Sequence, residues 1–297
     1  MRESKRLPQP ERIRMKDHEK RLRLRKILAG SAGVTAPGTA EAVFARLVQD
    51  CGYPVVHLSG NAIHKSLALP DSGLITMTEV AQRTASISES VDIPLIVDGE
   101  TGYGGPDQTG RALRLFERAG AAAVRFEDSA FGTSGHGFAG KEGVTPISTM
   151  TDKIKAAVDA RTDESLVLIA RCDTRACEPF AQIQERLGAY VEAGADAVGV
   201  HLSDVNELRL IGAHSPAPLV SLWPRTLMTV YDFLSMGYKI ALMPSSVLVA
   251  AVAAVRMLLV ELREKGTERQ YFGRLPEFEK INHWYHALGR KGEIYKF

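Results

Sequence analysis

Short apolar runs recur along the chain at intervals suited to strands. They are ILAGSAG (27–33), PVVHLSG (54–60), PLIVDGE (94–100), AAVRFED (122–128), LVLIARCD (166–173), AVGVHLS (197–203), PLVSLW (218–223) and KIALMP (239–244). Between them lie stretches whose apolar positions recur at three and four, the helical period: TGRALRLFERAG (109–120), ISTMTDKIKAAVDAR (147–161) and AQIQERLGAYVEAGA (181–195). Several of these close on Ala-Gly, as a helix with a C-terminal glycine does. Strand–helix alternation repeated about eight times predicts a parallel sheet, and this length suits a closed (β/α)8 barrel of the TIM type. A doubly wound open sheet is the rival. Its Gly-rich dinucleotide loop is poorly matched by AGSAGVTAPG. No composition shift or linker divides the 297 residues, so one barrel domain is expected over 1–297, with a basic arm or helix at 1–24 and C-terminal helices at 245–297.

The barrel gives meaning to the way the strands end. Side chains at the C-terminal ends of barrel strands face the mouth, where barrel enzymes place their chemistry. Those ends supply Ser59 and Gly60, Asp98 and Glu100, Glu127 and Asp128, Arg171 and Asp173, and His201 and Ser203. Several carboxylates converging with an arginine are costly unless something positive binds them. Oxygen ligands without clustered Cys or His suit a hard cation, with Mg2+ favoured and Mn2+ allowed. The glycines at 102, 104 and 105 do not have P-loop spacing.

Composition changes the picture little. An apolar content of 45% and a charged content of 24% are those of a globular protein. The longest apolar stretch, 247–255, is shorter than the ~18–20 residues of a membrane span and reads as a buried helix. Cys51, Cys172 and Cys177 have neither zinc-like spacing nor an even count, which fits a reducing cytoplasm. Net charge is +2, but residues 1–26 carry 11 Lys/Arg against 4 Asp/Glu, leaving the remainder negative. Such an arm attracts nucleic acid or membrane surface, or simply packs on the barrel or a neighbouring subunit. Packing is the plainer expectation, with no nucleic-acid or membrane partner.

The motif DGETGYG (98–104), together with LSGNAIHKSLALPDSGLITMTEV (58–80), RFEDS (125–129), IARCD (169–173) and EAGADA (192–197), resembles the isocitrate lyase/phosphoenolpyruvate mutase superfamily over residues 25–271. The resemblance implies a Mg2+-dependent lyase that makes or breaks a C–C bond beside a 2-oxo or 2-hydroxy acid through an enolate, like methylisocitrate lyase. It implies Asp98 as direct metal ligand, with Glu100, Glu127 and Asp71 acting through the metal's waters. It makes Ser59, Gly60 and Asn61 the loop for the substrate carboxylate and Arg171 its cationic partner. It also implies a last helix exchanged between subunits of a homodimer or homotetramer, for which the apolar segment around 247–260 is suited.

The chain departs from the lyases in the half of the site that sets the reaction. The lyase loop Lys-Arg-Cys-Gly-His, whose Cys donates a proton, is replaced by SAFGTSGHGFAGKEG (129–143), and the Asn-Ser pair of the phosphonomutases is missing as well. His136, Tyr103 or solvent is then the candidate proton source. His201 stands where lyases carry glutamate and phosphonomutases histidine. Leu222 stands where lyases carry asparagine, and Glu100 replaces an aspartate. C–P chemistry on phosphoenolpyruvate or phosphonopyruvate and oxaloacetate decarboxylation are the enzyme alternatives. A decayed barrel that only binds ligands is the non-enzyme one. For His57 and His64, which flank Ser59, hydrogen-bonded packing is expected.

Overall fold

The computed structural model describes residues 15–130, 143–173, 179–202 and 204–269. Eight parallel strands close into a barrel in chain order: β1 (Val34–Thr39), β2 (Val56–Leu58), β3 (Leu95–Asp98), β4 (Ala123–Glu127), β5 (Val167–Cys172), β6 (Ala197–Val200), β7 (Leu219–Leu222) and β8 (Tyr238–Met243). Closure joins β1 to β8 in the register Val34↔Ile240 to Pro37↔Met243. Helices α1 (Asp17–Ala29), α2 (Ala42–Asp50), α3 (Gly60–Ser66), α4 (Met77–Ser90), α5 (Pro106–Arg118), α6 (Ile147–Ala160), α7 (Phe180–Glu192), α8 (Val205–His214), α9 (Val230–Ser235) and α10 (Ser246–Lys265) complete it. The chain thus has the (β/α)8 architecture that its alternating pattern predicts. Its contacts divide into one unit over Lys16–Leu248, which contains the barrel, and a second that holds α10 from Val249 onward.

One expected strand is misplaced. Residues 27–33 do not form β1. Ile27 and Leu28 continue α1, and the strand begins at Val34. Leu24 and Leu28 lie one helical turn apart, so the apolar run belongs to a helical face. The true strand, VTAPGT, carries Pro37 and Gly38, residues that normally argue against a central strand. Gly38 is required there: a Cβ would stand 2.7 Å from the carbonyl oxygens of Met243 and Pro244, where β8 passes.

Two apolar layers hold the unit together. The outer one lies between strands and helices and includes Phe116, Met150, Ile154, Leu187 and Phe233. The inner one fills the lower barrel with Val55, Ile96, Ala123, Val167, Ile169, Ala197, Val220, Ile240 and Leu242, and Leu24 and Leu28 of α1 join it. The helix therefore plugs the end opposite the mouth. Three of its cations help seat it. Lys20 donates to the Ser88 carbonyl at 2.8 Å. Arg21 donates to the carbonyls of Ala121 and Glu117 and to Asp163 at 2.7 Å. Arg25 reaches the Ser165 carbonyl and Asp196. Lys20, Arg21 and Arg25 thus pack on the barrel, while Arg23 and Lys26 stay exposed.

The segment 247–255 is helical, as expected, but it is not buried. No residue of α10 is buried, and Val252, Val255, Met257 and Leu259 are each more than half exposed. Among the described residues no helix is long and apolar enough to cross a membrane.

Candidate active site at the barrel mouth

Strand alternation decides which end residues face the mouth. Residues two apart share a face, so Arg125 and Glu127 of β4 point into the barrel while Asp128 points out. The result is a cavity of about 310 Å3, lined by Ser59, Asn61, Asp71, Asp98, Glu100, Glu127, Arg171 and His201 among the expected residues. Leu222, Trp223 and Met243 form part of its wall, and Lys65, Arg125 and Arg225 add cations. Four carboxyl groups and four Lys/Arg side chains thus share one pocket.

Asp98 closes β3 and is 7% exposed. Its Oδ2 accepts from the Gly60 amide at 3.3 Å and from Arg125 Nη2 at 2.8 Å. Burial would raise its pKa, but Arg125, His57 and Arg171 outweigh that and hold the carboxyl below its usual range. Glu100 follows with φ +52, a left-handed conformation that non-glycine residues rarely adopt. Its side chain occupies the space beside Gly60, where a Cβ would overlap Oε1. Burial, then the charges of Asp98, Glu127 and Asp71, push Glu100 well above the ordinary glutamate range.

Arg171 of β5 donates through Nη1 to Glu127 Oε2 and through Nε to Asp173 Oδ1, each at 2.7 Å. Glu127 remains hard to ionise: burial raises it to about 8 despite Arg171, and the charges of Asp173 and Asp98 add to the rise. Arg171 itself is held more firmly cationic by Asp173 and Glu127 than its burial alone would allow. Asp71 accepts from Asn61 Nδ2 at 2.7 Å and lies 3.2 Å from His64 Nδ1. His64 also meets the Gly60 carbonyl at 2.9 Å, so it packs through hydrogen bonds as expected.

Not every strand-end residue faces the mouth. Asp128 is not in the mouth. It sits between β4 and α7, accepting from the Tyr190 hydroxyl and the Asp173 amide, and burial raises it to about 6. Asp173 does not line the cavity either; it anchors Arg171 and accepts from Ser129 at 2.9 Å. Ser59 is the cap of α3, accepting from the Ala62 amide, and the Gly60 amide is committed to Asp98. Tyr103 packs edge-on against Phe116 at 6.1 Å with its hydroxyl buried, and it does not line the cavity. His57 is not hydrogen-bonded. It is fully buried with neither ring nitrogen partnered, and burial and Arg125 lower it to about 3. His136, Ser203 and Cys177 lie outside the described residues.

The residues that sequence reasoning missed are chiefly cations. Arg125 had a signal, because a charged side chain inside a buried parallel strand breaks its apolar run. Lys65 and Arg225 follow strands without any pattern that would single them out.

The donor set can be tested against a divalent ion. Among the described residues no three His, Cys, Asp or Glu side chains are placed to grip one ion together. The described residues thus form no cage of three such side chains. The arrangement fits a small hard cation held by one or two carboxylates and water, since Asp98 stands ionised amid Glu100 and Glu127, which need added positive charge to ionise.

Residues 24–263 match the family model described as phosphoenolpyruvate phosphomutase. The chain is 38% identical over 257 residues to a 2-methylisocitrate lyase of Aeropyrum pernix, covering 85% of this chain and 82% of that one. Among solved structures it resembles a phosphoenolpyruvate phosphomutase of Streptomyces platensis subsp. rosaceus, with a TM-score of 0.84, 25% identity and coverage of 90% and 95%. It also resembles a phosphonopyruvate hydrolase complexed with oxalate and Mg++, with a TM-score of 0.81, 28% identity and coverage of 92% and 99%.

Proposed function

The chain belongs to the phosphoenolpyruvate phosphomutase family of the isocitrate lyase/PEP mutase superfamily, and on that premise we propose that it cleaves or forms a C–C bond beside a 2-oxo or 2-hydroxy acid carboxylate with Mg2+ at Asp98. The observation that carries this reading is the convergence of Asp98, Glu100, Glu127 and Arg171 in one mouth cavity.

When bound, the divalent ion would supply positive charge to the negative charge that develops on the substrate's oxo oxygen. Asp98 would be its direct ligand, and Glu100, Glu127 and Asp71 would hold its waters. The chain's own side chains do the remainder. Arg171, fixed between two carboxylates, presents a planar cation to a substrate carboxylate. In the metal-free mouth Glu127, raised to about 8, keeps its proton at neutral pH, and the ion's arrival would displace that proton as Glu127 turns to hold the ion's waters. Lys65 and Arg225 at the cavity wall suit a second acidic group, as a di- or tricarboxylate would bring. The exposed apolar face of α10 docks, in this reading, on a second copy of the chain.

Incubation with Mg2+ and methylisocitrate, isocitrate, 2,3-dimethylmalate or oxaloacetate should release pyruvate, glyoxylate or oxalate from at least one. Silence across the panel contradicts a C–C lyase. His201 on the cavity wall favours C–P chemistry as the second reading. In that case the phosphorus NMR spectrum of phosphonopyruvate changes on incubation and the panel stays silent.

A further inference from the structure

Arg125 is a cation in an unusual place. It is 2% exposed, it lies inside the barrel two residues below Glu127, and it forms part of the cavity floor. Nη2 donates to Asp98 Oδ2 at 2.8 Å. Its Nε and Nη1 are buried without any hydrogen-bond partner, and so are both ring nitrogens of His57. A buried guanidinium with donors unspent is destabilising, because each lost water contact goes uncompensated. One bond to Asp98 does not offset that. Both idle donors are enclosed, so a ligand in the cavity meets Arg125 through its charge and through Nη2, the donor now spent on Asp98.

The same pairing sets Arg125 against a divalent ion. Both are drawn to Asp98, and two cations a few ångströms apart in a poorly screened interior repel strongly. An anionic ligand resolves the conflict. Its negative charge offsets both cations and offers Arg125 Nη2 an acceptor in place of Asp98. Resting on the reading of Asp98 as metal ligand, we propose that Arg125 is a positioning residue that couples the two ligands. It holds Asp98 while the mouth is empty, keeps affinity for a divalent ion alone weak, and yields Asp98 to the ion when a dicarboxylate enters. Linkage makes the effect mutual, so the ion must strengthen dicarboxylate binding by the same factor.

Calorimetric titration of Mn2+ at pH 8, with and without oxalate, tests this on the wild type, Arg125→Gln and Arg125→Lys. In the wild type oxalate should tighten Mn2+ by about tenfold or more. Arg125→Gln should bind Mn2+ alone about tenfold more tightly than the wild type, with the oxalate effect largely gone. Arg125→Lys keeps the charge and should restore the wild-type pattern, which a purely structural role would not produce. Unchanged or weaker Mn2+ affinity in folded Arg125→Gln, with the oxalate effect intact, overturns the proposal. If the wild type binds no Mn2+ even with oxalate, the reading of Asp98 fails first and takes the proposal with it. Should Arg125→Gln not fold, wild-type crystals with Mn2+ and oxalate decide: Arg125 Nη2 leaves Asp98 Oδ2 if the proposal holds, and a guanidinium still seated on Asp98 refutes it.

Discussion

Gly60 and Glu100 compete for one small volume, and that sets the geometry of the mouth. Any side chain at residue 60 collides with Glu100 Oε1 and nears Asp98 Oδ2, so the strained Glu100 turn and the bare Gly60 backbone require each other. Gly60→Ala should leave the fold intact but lower kcat/KM by roughly a hundredfold, because displacing a positioned group by about an ångström has that cost. Kinetics on the substrate found active, beside a thermal melt, separates this from misfolding; unaltered kinetics would dismiss Gly60 as a packing detail. Asp98→Asn should abolish calorimetrically detectable binding of divalent ions. At this scale the acids were legible, because Asp98, Glu100 and Glu127 interrupt apolar strands at their ends. The partners of Ser59, Gly60 and Tyr103 were not. A cap bond, an amide pointing at a carboxylate and a ring turned to Phe116 depend on distant chain, and no local pattern encodes them.

Among the elements, α1 shows how a segment read as charge becomes structure. Its leucines join the barrel interior, and its cations satisfy carbonyls at the strand starts. Breaking a buried charged contact strips its partners, so Arg21→Ala should cost about 3 kcal/mol, as Asp163 and the carbonyls of Ala121 and Glu117 each lose a charged donor. A urea midpoint within error of the wild type would mean that the plug contributes nothing. The strand pattern was readable where runs are rich in β-branched residues, as in LIVD and VLIARC. It misled at β1, where Pro37 and Gly38 conceal the strand and α1 ends in an apolar run that imitates one. The inward and outward faces of β4 were open to derivation from period two, yet Asp128 was expected in the mouth. The β4–α7 packing that claims it through Tyr190 and Arg186 is a tertiary fact.

For the whole molecule, burial of acids at the mouth predicts a pH-dependent stability that a divalent ion reverses. Between about pH 6.5 and 8 His57 is neutral folded or unfolded, and Asp128, raised only to about 6, is ionised in both states. Glu127 differs: it keeps its proton up to about 8 when folded but is ionised in the unfolded chain. The folded state then binds more protons, and stability falls as pH rises through this window. Glu100, also raised, acts in the same direction. Below about 6.5 the sign for His57 is opposite, since it takes up a proton only when unfolded and stability is lost as pH falls toward 3. Melting temperatures should therefore drop from pH 6.5 to 8, and saturating Mg2+ should remove the drop; identical profiles with and without the ion would contradict it. The exposed α10 carries a second expectation at this scale. Replacing Val252 and Val255 by glutamate should shift light scattering from an oligomer to a monomer, whereas an unchanged mass would place the interface elsewhere. The most direct test of the central claim is a crystal structure of the protein grown with Mg2+ and oxalate. It should show the ion on an Asp98 oxygen with oxalate facing Arg171 in the mouth, and a mouth without either, with Asp98 still held by Arg125 and the amides of Gly60 and Glu100, would contradict the account.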